Sequence, residues 1–147
     1  MNQNAVNEAN MRVSLNPANG DDLAVLPASA TITLTDGGSN IANISVQVLN
    51  AYGEAVLRPV PILVYLSTSA LGVGTDETAS TGLAVATGQL LHALIAKSTL
   101  LVQTLATGIA TLTDTDTGLT MNYVCVTLPN GRTITKLLTA TELNAAA

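Results

Sequence analysis

The segment Met121-Asn122-Tyr123-Val124-Cys125-Val126-Thr127-Leu128-Pro129-Asn130-Gly131-Arg132-Thr133-Ile134-Thr135-Lys136-Leu137-Leu138-Thr139 sets two β-rich runs, 121–128 and 133–139, on either side of a Pro-Asn-Gly turn. Asn130-Gly131 supplies the positive φ that a tight hairpin turn needs, so the pair reads as an antiparallel β-hairpin. Runs of the same kind recur upstream at 31–35, 43–49, 62–67, 83–87, 89–95, 99–105 and 109–113. Thr31-Ile32-Thr33-Leu34-Thr35 alternates polar and apolar residues strictly, the period of a strand with one buried face. Leu90, Leu91, Leu94 and Ile95 also fit a helical stripe, so a helix over 89–105 competes; the β-branched residues and Thr/Gly flanks favour strands. Eight or nine short strands with closely spaced turns predict an all-β antiparallel sandwich over 28–141, followed by a short tail at 142–147.

Residues 1–27 differ from the rest. Asn2, Asn4, Asn7, Asn10, Asn16 and Asn19 are spread through them, and Pro27 closes the segment. Such a composition disfavours regular structure. The apolar residues Val13, Leu15, Leu23, Val25 and Leu26 mark it as an extended N-terminal arm that docks on a partner. The opening eleven residues are Asn-rich and lack Lys, Arg and an apolar run, so they do not read as a secretory signal peptide.

Only 10% of the 147 residues are charged, against about 25% in an average globular protein. A surface so poor in charge suits a protein partly covered by others. With three Tyr, no Phe and no Trp, the core must be aliphatic, and the aromatic walls common in ligand pockets are scarce. The net charge of −5 and five scattered basic residues argue against nucleic-acid binding. The run 90–105 is interrupted by His92, Lys97 and Gln103, so no membrane span is expected.

Few residues suit chemistry. His92 is the sole histidine and Cys125 the sole cysteine, so neither a zinc set nor an internal disulfide can be assembled. Cys125 lies mid-strand, where it reads as a small buried hydrophobe without a base beside it. Asp114-x-Asp116-x-Gly118 has the start of a calcium loop but lacks the third acidic position and the closing Glu, so it reads as a solvated turn. Asp76-Glu77 belongs to a long Gly-rich loop kept wet by its charge. No catalytic residue, metal or cofactor is expected, and the chain does not read as an enzyme. Tyr52, at a turn tip, is a candidate contact residue.

Two stretches resemble immunoglobulin-like domains. Val46-Gln47-Val48-Leu49-Asn50-Ala51-Tyr52-Gly53-Glu54-Ala55-Val56, followed by 60–66, resembles their second and third strands, with Gly53 providing the turn. Asp114-Thr115-Asp116-Thr117-Gly118 leading to Tyr123-Val124-Cys125 resembles the tyrosine corner of the sixth strand. That likeness implies that the Tyr123 phenol bonds back to the backbone and pins a loop; the family's disulfide is absent. The layout as a whole is also similar to the small capsid decoration, or cement, proteins of tailed phages. This second likeness implies a structural virion protein on the outer surface of the capsid, made in the host cytoplasm, stapling neighbouring major capsid subunits as a trimer or dimer. An Ig-like adhesion module and a phage tail or baseplate component are the alternatives.

Overall fold

A computed structural model describes residues 24–75, 81–118 and 121–144. Val13, Leu15, Leu23 and the Asp76-Glu77 pair lie outside them. The described chain forms nine strands: β1 (Ser29–Asp36), β2 (Ile41–Leu49), β3 (Pro61–Ser67), β4 (Gly82–Thr87), β5 (Gln89–Ile95), β6 (Thr99–Gln103), β7 (Ile109–Thr115), β8 (Asn122–Thr127) and β9 (Thr133–Leu138). They make two antiparallel sheets, ordered β1-β2-β7-β4 and β5-β6-β3-β8-β9. The all-β sandwich is therefore present, and residues 89–103 are strands rather than a helix.

Alternation writes the core. Along β2, Ala42, Ile44, Val46 and Val48 are buried while their neighbours are half-buried or exposed. Ala110 and Leu112 of β7 extend that layer, and Ile62, Val64 and Leu66 of β3 face it with Val124 and Val126 of β8. All are aliphatic, as a chain without Phe or Trp requires.

The neighbours follow the immunoglobulin plan, in which A-B-E-D packs on a G-F-C sheet extended by C′ and C″. Here β1-β2-β7-β4 takes the first set of places, and β9-β8-β3-β6-β5 the second. The connectivity differs. After β3 the chain visits the D place as β4, then the C″ place as β5, then the C′ place as β6. Gly88 alone carries it from one sheet to the other.

Three expected features take a different form. The hairpin pairs Asn122 with Leu138 through Thr127 with Thr133, but its turn is not a two-residue Asn-Gly turn. Gly131 N–H donates to the Leu128 carbonyl and Leu128 N–H to the Arg132 carbonyl, both at 2.9 Å. Only Gly131 has positive φ, at 85°. Pro129, with φ fixed near −65°, favours the second position of a type I turn, which leaves one left-handed residue to close a bulge. Next, β6 ends at Gln103 rather than at 105, because Thr104 Oγ1 turns to accept the Val60 N–H at 2.8 Å. Finally, the expected tail boundary at 141 falls inside a short helix, α1 (Ala140–Asn144), whose Leu143 is fully buried in the core. Thr139-Ala140-Thr141-Glu142 is a capping box: Glu142 accepts from the Thr139 N–H, and Thr139 Oγ1 accepts from the Thr141 N–H.

Candidate contact surfaces and buried polar groups

One turn device is used three times. Asn50–Glu54, Leu105–Ile109 and Leu128–Arg132 each close with a first-to-fifth and a fourth-to-first backbone hydrogen bond, with glycine fourth. Gly53, Gly108 and Gly131 all have positive φ. Strand register puts all three turns at one end of the sandwich. β2 ends at Leu49 against Ser29, β6 ends at Gln103 against Pro61, and β8 ends at Thr127 against Leu63.

The same end holds the root of the N-terminal segment. Asn50 Nδ2 donates to the Ala24 carbonyl at 3.1 Å, Arg58 Nε to Val25 at 2.8 Å, and Arg132 Nη1 to Ala28 at 3.3 Å. Asn50 is buried, and its Oδ1 accepts the N–H groups of Tyr52 and Glu54. One amide therefore shapes the turn and anchors the incoming chain. Of the expected contact residues, Val25, Leu26 and Tyr52 are exposed and share this end. Leu57, 74% exposed, and Leu105 join them. The sequence reading missed both: Leu105 was assigned to a strand, and Leu57 lies in a linker without periodicity.

A second surface was also missed. All of β5 except Ile95 is exposed, including Leu90, Leu91 and Leu94. β5 pairs only with β6, so its other edge carries no strand among the described residues. The signal was the run from 89 to 95 itself, apolar and without Lys, Arg, Asp or Glu. Natural edge strands are usually protected by such charges.

Tyr123 does not act as the tyrosine corner. It sits half-buried opposite Ser67 and Leu137, on the outward face of β8. The tyrosine that pins a loop is Tyr65, whose hydroxyl donates to the Gly72 carbonyl at 2.6 Å. That loop covers Cys125, which pairs with Tyr65 across β3 and β8 and is fully buried. Burial pushes its thiol up to about 11, outweighing a hydrogen bond with Tyr65 that acts the other way. The thiol is therefore protonated at neutral pH and is no nucleophile. Beside it lies a cleft of about 250 Å³ lined by Leu63, Tyr65, Gly72, Gly74, Thr99 and Thr127 among others.

Asp114 and Asp116 do not form a solvated turn. They continue the inward face of β7 and are 1% and 2% exposed. Burial, reinforced by the negative charge of Asp116, raises the Asp114 carboxyl to about 6. Among the described residues no group of three or more His, Cys, Asp or Glu could hold a metal ion. No helix of the described residues is long and apolar enough to cross a membrane.

No protein-family model matches the chain, and no curated protein matches it. Among solved structures, it is similar to the crystal structure of Parabacteroides merdae β-glucuronidase, with a TM-score of 0.46 and 14% identity. The match covers 77% of this chain and 12% of that enzyme, so the chain spans a small fraction of the enzyme's length.

Proposed function

We propose that this chain is a structural virion protein that acts by contact rather than catalysis, binding the outer surface of a phage capsid and stapling neighbouring major capsid subunits. The observation that carries the reading is the gathering of Val25, Leu26, Tyr52, Leu57 and Leu105, all exposed, at one end of the sandwich. Ala24, Val25 and Ala28 are bonded to the sandwich at that end. Isolated exposed apolar side chains are ordinary on a protein surface, but a cluster rimmed by Arg58 and Arg132 has the composition of a contact site. The three tight turns fix their tips with backbone hydrogen bonds, so little ordering entropy is lost on docking. Self-association, as a trimer or a dimer, uses the uncharged edge of β5.

Co-sedimentation with assembled heads tests this. The full chain should pellet with capsids, and the Tyr52→Ala/Leu57→Ser variant should bind at least tenfold more weakly while keeping its circular dichroism. Equal pelleting of the variant, or none by the full chain, refutes the proposal.

A further inference from the structure

We propose that Asp114, Asp116 and Asn122 form a calcium-binding site between the two sheets, at the end opposite the three glycine turns. The inward residues of β7 run Ala110, Leu112, Asp114, and the next inward position is Asp116. Two apolar core residues thus give way to two carboxylates. Asn122 opens β8 on the same face as Val124 and Val126, so it points inward from the opposite sheet. Both are at the same end: Asp114 lies opposite Ala42, near the start of β2, and Asn122 opposite Leu138, the last residue of β9.

Asp116 Oδ1 accepts the Gly118 N–H at 2.8 Å, whereas the side chains of Asp114 and Asn122 are left unsatisfied. Among the described residues neither Asp114 oxygen has a partner, and neither polar atom of the Asn122 side chain has one, although Asn122 is wholly buried. The strand neighbours of Asp114 on either side are Ala42 and Leu83, whose side chains offer nothing polar. Buried polar groups are almost always satisfied, and each orphan costs on the order of 1–3 kcal/mol, more if charged. A hard cation satisfies such a set. Two carboxylates and an amide carbonyl are oxygen donors, and calcium accepts roughly six to eight of them in flexible geometry. Water and backbone carbonyls supply the remainder. Magnesium, which demands a near-ideal octahedron and gives up water reluctantly, suits the site less.

The site is tested on the full chain by melting it in EDTA, in calcium and in magnesium, with calorimetric titration of calcium. Calcium at about a hundredfold its Kd should raise the midpoint by on the order of 5–10 °C. Asp114→Asn, which keeps the shape and removes the charge, should fold and lose most of that shift; Asn122→Leu should lose it too. A wild-type midpoint unchanged by calcium, with no binding heat, overturns the proposal. So does an Asp114→Asn variant that retains the full shift. Equal stabilisation by magnesium overturns the assignment to calcium.

Discussion

Gly88 is the one residue between β4 and β5, with φ at +104° and no room for a side chain: a Cβ there would stand 2.7 Å from the Gln103 carbonyl oxygen. Backbone strain and a collision with main chain both oppose Gly88→Ala, which should cost roughly 2–4 kcal/mol in denaturant unfolding. Asn50 is the next residue on which much depends. Its buried side chain bonds to Ala24, Tyr52 and Glu54, so Asn50→Ala should cost about 2–3 kcal/mol and loosen the root of the N-terminal segment. Asp114 predicts a pH dependence. Its folded value of about 6 lies above its ordinary 3.8, so the native state holds a proton that the unfolded chain has released. The Asp114 contribution to stability in EDTA should therefore be greatest below about pH 4, fall as pH rises towards about 6, and level off above it, read as the difference between wild type and Asp114→Asn. Asp114→Asn should remove that decline and gain about 2–3 kcal/mol at pH 7. A difference between wild type and Asp114→Asn that does not change with pH would contradict it.

Strands were readable as elements because their signal is local. The alternation of Ile44, Val46 and Val48 and the breaks at Gly88 and 96–98 are all visible in short windows of sequence. Turn type was less accessible: Asn130-Gly131 pointed to a hairpin, but the preceding Pro129 selects which one. Helix α1 was written in its capping box, yet five residues are too few for a helical period to show. Leu143→Ala should cost about 2–4 kcal/mol, since the side chain is fully buried. The exposure of β5 was legible only in part: the run 89–95 lacks the charges that protect an edge, but an apolar run looks the same in a central strand and at an edge. Placing lysine there tests its role: Leu91→Lys/Leu94→Lys should leave the melting midpoint nearly unchanged and shift sizing toward monomer. An unaltered oligomer would exclude β5 as the self-contact.

At the scale of the molecule, the sandwich followed from strand number and spacing, whereas the order of strands did not. Nothing in residues 82–95 announces that the chain enters one sheet as β4 and leaves in the other as β5. The candidate surface was legible in part. Tyr52, Val25 and Leu26 stood out singly, but only long-range pairing brings them to one end with Leu57 and Leu105. Asp114 and Asp116 were misread because burial at a strand end depends on the opposite sheet. The central claim is that this end of the sandwich meets the capsid, and photo-crosslinking reads it most directly. A photoreactive residue at position 52 or 57 should couple to the major capsid protein on assembled heads, while one at Thr33, exposed on β1, should not. Adducts from position 33 with none from 52 or 57, or no adduct from any of them, would contradict the account.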